Sequence, residues 1–121
     1  MLTAVHNLIY ADDPVAAREF FRDVLGYPTI DAGDGWLIFK LPPTELGVHP
    51  TAEGSAPSGT MRMSLMCEDL AATLDQLRAK GVVVLGEPVN AGYGMVATLK
   101  VPGGVELDVY EPRHPVAFDL G

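Results

Sequence analysis

This 121-residue chain has one cysteine, half as many basic residues as acidic ones, and no apolar run of about 18 residues. A lone Cys67 excludes an internal disulfide. It lies in an apolar stretch, where a free thiol behaves as a small buried hydrophobe, and no base beside it in sequence would make it a nucleophile. A helix that crosses a bilayer needs about 20 apolar residues, so no membrane span is expected. Met1-Leu2-Thr3-Ala4-Val5 has no basic region followed by an apolar one, which argues against a signal peptide and makes the cytoplasm the expected compartment. Eight basic residues against sixteen acidic ones leave a formal charge of −8, which repels a phosphate backbone, so neither nucleic acid nor membrane is an expected partner. Phosphate loops, nucleophile motifs and Cys-x-x-Cys pairs are absent as well.

What the chain does have is a repeat. Gly92 to Pro112 (GYGMVATLKVPGGVELDVYEP) is echoed by Gly33 to Pro50 (GDGWLIFKLPPTELGVHP). Each copy opens on Gly-x-Gly, runs through an apolar strand into Lys-apolar-Pro, and continues through Glu-Leu-x-Val. The order of elements repeats too. Val5 to Ala11 reads as a strand. Asp13 caps a helix with Pro14 at its first position and an apolar stripe of Ala17, Phe20, Phe21, Val24 and Leu25, ended by Gly26. A short segment, Thr29 to Asp31, leads to the first hairpin. Residues 51–59 (TAEGSAPSG) are small, polar and aperiodic, as in a linker. Then Met61 to Cys67 reads as a strand, and Glu68-Asp69 starts a second helix with stripe Leu70, Thr73, Leu74 and Leu77. Gly81 stops that helix, and Val82 to Leu85 precedes the second hairpin.

The expectation is a single α+β domain over residues 1–121 built of two βαβββ modules, 1–50 and 60–112, with a tail at 113–121. A chain of this size buries about two thirds of its unfolded surface and needs no metal merely to fold. One helix for every four strands suits a curved, mostly antiparallel sheet with helices on its outer face and a concave cup opposite.

Strand alternation then separates packing from cup-facing side chains. Leu37, Phe39 and Leu41 form one apolar face, so Trp36, Ile38 and Lys40 face the cup. Leu46 and Val48 pack, leaving Glu45, Gly47 and His49 inside. Leu107 and Val109 pack, leaving Glu106, Asp108 and Tyr110. Met63, Leu65 and Cys67 pack, leaving Arg62, Ser64 and Met66. One division of the first strand puts His6, Leu8 and Tyr10 in the cup. Trp36, Tyr93 and Tyr110 are natural walls for a flat ligand, and Arg113-His114 reads as solvated tail.

The opening VHNLIYADD, the Phe20-Phe21 helix, Leu25-Gly26-Tyr27, and Tyr93-Gly94 through Val101-Pro102-Gly103-Gly104 together resemble the vicinal oxygen chelate superfamily: glyoxalases, bleomycin-resistance-type binding proteins and extradiol dioxygenases. The likeness runs from about residue 4 to 112. It implies a divalent-metal site with His6 as first ligand, Glu45, the Gly47 position or His49 as second, Arg62 at the third and Asp108 at the fourth. Arginine cannot ligate a metal. Either Asp108 joins His6 and one further side chain around iron, manganese or zinc, or it pairs with Arg62 and no metal is bound. The first alternative implies a metal-dependent lyase or dioxygenase of glyoxalase type, with Glu106 as a candidate base. The second implies a protein that binds a small organic molecule against Trp36, His49, Arg62, Ser64, Met66 and Tyr110. A third possibility is a non-catalytic interaction module. The resemblance also implies a homodimer, with modules paired within a chain or swapped between chains.

Overall fold

The computed structural model describes residues 1, 3–51 and 56–121, so Ala52 to Ser55 of the expected linker lie outside the described residues. In the second half of the chain the expected helix and strands are present, although the strand expected over Met61 to Cys67 is only Ser64–Met66 and the one expected over Val82 to Leu85 runs from Val83 to Asn90. Asp69 caps α2 (Leu70–Ala79), its Oδ1 accepting the Ala72 N–H at 3.1 Å, and the helix buries Leu70, Leu74 and Leu77. Around it, β3 (Ser64–Met66), β4 (Val83–Asn90), β5 (Gly94–Val101) and β6 (Val105–Pro112) form a sheet in the order β3-β6-β5-β4. Strand β3 is parallel to β6 and the other pairs are antiparallel. To keep this numbering in chain order, β1 (Thr29–Asp31) and β2 (Leu37–Phe39) are the paired strands of module one, joined antiparallel from Thr29↔Phe39 to Asp31↔Leu37.

The first helix has the expected cap, Asp13 Oδ1 accepting the Ala16 N–H at 3.1 Å with Pro14 at the first position. Helix α1 (Pro14–Glu19) does not continue as an α-helix to Leu25. It widens into a π-turn over Phe20–Val24, with the Leu25 N–H reaching the Phe20 carbonyl at 3.2 Å. Two adjacent rings, Phe20 and Phe21, are both buried there, edge to face with centroids 5.6 Å apart. Gly26 and Gly81 leave their helices at φ +72° and +85°, a backbone region that costs glycine least.

One core joins the modules. Ala17, Phe20 and Phe21 from the first helical segment pack in a single cluster with Leu70, Leu74 and Leu77 of α2 and with Ala97, Leu99, Val101, Leu107 and Val109 of the sheet. At one end the Asp13 N–H donates to the Gly103 carbonyl at 3.0 Å, and at the other Lys80 Nζ reaches the Val24 carbonyl at 3.2 Å. Among the described residues no helix is long and apolar enough to cross a membrane.

Two expected strands do not form. Residues 5–11 and 45–49 take part in no described ladder. Leu46 and Val48, expected to pack, are 86% and 90% exposed. The turn chemistry supplies the reason. In module two the chain reverses through Gly103 and Gly104 at φ +102° and +90°, whereas the first copy has Pro43 and Thr44 there. A proline ring holds φ near −65° and provides no N–H for a ladder, so the chain leaving β2 cannot fold back in the same way.

Candidate functional site

The expected cup residues fall into two groups. Register fixes the first: Ser64 lies opposite Asp108, Met66 opposite Tyr110, Thr98 opposite Asp108 and Lys100 opposite Glu106. These side chains share the sheet face away from the core, because the intervening Ala97, Leu99, Leu107 and Val109 fill it. Asp108 has a partner that neither sequence reading named: the Thr98 hydroxyl donates to its Oδ1 at 2.8 Å. Among the described residues there is no Arg62–Asp108 ion pair, and Arg62 and Glu106 are exposed. Thr98 could have been found by counting back from the Pro-Gly-Gly turn, since Val101↔Val105 puts Thr98 across from Asp108.

Tyr110 is buried at the end of this face, edge to face with Tyr93 at a centroid distance of 5.2 Å. Its hydroxyl lies 3.0 Å from His114 Nε2, while His114 Nδ1 lies 2.8 Å from the Pro115 carbonyl. A carbonyl only accepts, so Nδ1 carries the proton and, in the neutral ring, Tyr110 donates to Nε2. His114 therefore belongs to a packed cluster, a correction to the solvated tail expected there. Burial first, then the nearby Glu45 carboxylate and Tyr93, raise the Tyr110 pKa above the ordinary phenol value. Glu45 also clasps the tail, its Oε1 accepting the Ala117 N–H at 3.0 Å. Cys67 is half-buried, and burial raises its thiol pKa, in keeping with a structural role.

The second group lies in module one. A cleft of about 780 Å³ opens between residues 5–11, the inner side of α1 and residues 36–44. His6 and Trp36, two of the expected site residues, line it with Leu8, Phe21, Phe39 and Leu41. Arg18, on α1, places its guanidinium 4.9 Å from the centre of the Trp36 ring. Phe21 and Phe39 stack obliquely behind, 5.7 Å apart. His49 joins neither group; it is exposed, with Nδ1 2.7 Å from the neighbouring Pro50 carbonyl.

The implied metal can be tested against this donor set. Among the described residues, no three His, Cys, Asp or Glu side chains converge to hold an ion. His6 lines the cleft, Glu45 is engaged by Ala117, and Asp108 is engaged by Thr98 on another face. Within one chain, the expected set of His6, Glu45 and Asp108 does not fit a divalent cation.

The model of the Glyoxalase/Bleomycin resistance protein/Dioxygenase superfamily matches residues 3–109. The chain belongs to this superfamily. Solved structures of its fold include lactoylglutathione lyase from Agrobacterium tumefaciens, at 22% identity and TM-score 0.57, covering 84% of this chain and 87% of that one. A glyoxalase/bleomycin resistance protein/dioxygenase from Nocardioides matches at 18% identity and TM-score 0.56, covering 96% and 93%. TnmS3, an antibiotic-binding protein from Streptomyces sp. CB03234, matches at 21% identity and TM-score 0.51, covering 92% and 99%. No curated protein matches. At these identities the neighbours establish the fold, and superfamily membership leaves the choice between binding and catalysis to the site.

Proposed function

We propose that this superfamily member binds and sequesters a small organic molecule; TnmS3, which shares its fold, is an antibiotic-binding protein. The observation that carries the reading is the cleft beside α1: about 780 Å³, walled by Trp36, Phe21, Phe39 and aliphatic side chains, with His6 among its few polar groups. That volume falls within the roughly 300–1,000 Å³ of small-molecule sites, and an apolar wall with a few polar groups is their usual chemistry. The dispersed carboxylates support binding over a metal-dependent lyase or dioxygenase, which needs ligands held together with open positions for substrate.

We infer further that the protein works as a single domain and a homodimer. Leu46 and Val48 are exposed apolar positions on a segment that lacks a ladder partner, and a second copy would cover them.

Thermal-shift screening of small aromatic and dicarbonyl compounds, together with metal analysis of untagged protein, tests the reading. Saturable stabilisation by an organic ligand in metal-free protein is the expected result. Stoichiometric iron, manganese or zinc that is lost in His6→Ala would overturn it in favour of the metal enzyme. If no small ligand stabilised the protein, an interaction module would be the better description.

A further inference from the structure

The cleft differs in charge from the rest of the molecule. The chain carries sixteen carboxylate side chains and eight basic ones, yet the walls of the cleft include Arg18, Lys40 and His6 and no Asp or Glu. Among the described residues, neither Arg18 nor Lys40 meets a carboxylate in an ion pair. Cations on an apolar wall of an otherwise acidic protein form a local receptor for negative charge.

The geometry at Arg18 makes the receptor directional. With its guanidinium carbon over the Trp36 ring, the arginine is held by cation–π attraction. The cation–π contact occupies none of the guanidinium N–H groups with a carboxylate, and a guanidinium fork suits a two-pronged bond to one. The aromatic walls, Trp36, Phe21 and Phe39, favour a flat, apolar body behind that carboxylate.

We propose that this cleft selects aromatic carboxylates, with Arg18 receiving the carboxylate, Lys40 adding positive charge, and the ring packing against Trp36 and its neighbours. The inference rests on the reading of the protein as a small-molecule binder and assigns the class of ligand. It also gives Arg18 a ligand-binding role that the sequence pattern did not suggest.

Trp36 is the sole tryptophan, so its emission reports on the cleft directly. The test titrates wild-type protein with 4-nitrobenzoate and with 4-nitrobenzamide, which have the same ring and nearly the same shape but differ in charge. Saturable quenching by the carboxylate, at least tenfold weaker with the amide, is expected. Arg18→Gln should abolish that preference, Arg18→Lys should restore part of it, and Arg78→Gln, far along α2, should leave it unchanged. Unaltered melting temperatures would show that each variant is folded. Equal binding of the amide and the carboxylate would overturn the anion assignment and leave the small-molecule reading standing. The assignment also falls if the carboxylate fails to quench saturably, including the case in which sizing shows a dimer that closes the cleft. A neutral or cationic hit from the wider thermal-shift screen would then still support small-molecule binding, whereas no hit of any charge would remove both.

Discussion

Both hairpins open on the same local device. Asp31 Oδ1 accepts the Gly33 N–H at 2.7 Å, and Asn90 Oδ1 accepts the Gly92 N–H at 3.0 Å, each bending the chain through its own side chain. Beyond that turn they diverge. Strands β5 and β6 pair from Gly94↔Pro112 to Val101↔Val105, while β2 leads into Pro42-Pro43 and, among the described residues, pairs only with β1. The strength of the repeated sequence pattern is therefore no measure of the structure it builds. Two glycines at a reversal decide whether the apolar residues downstream become a core strand or stay exposed. The closed half supplies most of the core, which Ala17, Phe20 and Phe21 of the open half join, and the open half holds the cleft.

The largest expected effect tests that division directly. Leu99 is 0% exposed in the closed half, and Leu99→Ala should cost about 2–5 kcal/mol in urea unfolding, from lost burial plus the cavity left behind. Leu46→Ala in the open half should shift the stability of the separated protomer by no more than about 0.5 kcal/mol, and should cost more only at protein concentrations where the proposed homodimer covers that side chain. A comparable loss in the separated protomer would break the comparison.

Next come the glycines. A Cβ at Gly103 would run into the Asp13 carbonyl and come up against the Ala17 side chain without clashing, at a residue whose φ is already +102°. Gly103→Ala should therefore cost roughly 1–3 kcal/mol in backbone strain and also displace α1 from the β5–β6 turn. Gly35, at φ +81°, has open space around it, so Gly35→Ala should cost only about 1 kcal/mol. Equal losses in thermal denaturation would mean that the contact between helix and turn contributes nothing. Smaller still are the caps. Asp13→Ala and Asp69→Ala should each lose about 1 kcal/mol, and Asn should rescue both. A much larger loss at Asp13 would show that the open half depends on its helix start more than the closed half does.

Much of this organisation is legible in the sequence because it is local. Asp13 and Asp69 were readable as caps, Gly26 and Gly81 as helix ends, and period-two alternation separated Leu107 and Val109 from Asp108 and Tyr110. What alternation cannot supply is the identity of partners distant in sequence. Glu45 and Ala117 meet across most of the chain, and Arg18 reaches Trp36 from a different element. The unpaired first strand was illegible for the same reason: Val5 to Ala11 has strand composition, but pairing depends on whether residues 45–49 come back to meet it. A family ligand pattern assumes that such returns have happened, so it could name His6, Glu45 and Asp108 without bringing them together.

The smallest expected effect concerns the bond between the halves and is nil near neutral pH. Tyr110 belongs to the closed half, yet the Glu45 carboxylate of the open half helps to hold its phenol neutral, after burial and alongside Tyr93. The sign follows from linkage. A phenol whose folded pKa is raised keeps its proton longer in the folded chain than in the unfolded one. Its stabilising contribution is therefore complete below the ordinary value of 10.0 and is lost as pH rises through the raised folded value. Tyr27 is raised by burial alone. Melting temperature should thus fall with alkaline pH in the wild type and fall less in Tyr110→Phe and in Tyr27→Phe. Glu45→Gln should soften the Tyr110-dependent part without touching the Tyr27-dependent part. If Glu45→Gln left the whole profile unchanged, the carboxylate would not sit beside Tyr110 in solution, and the tail it clasps at Ala117 would no longer tie module one to the end of β6.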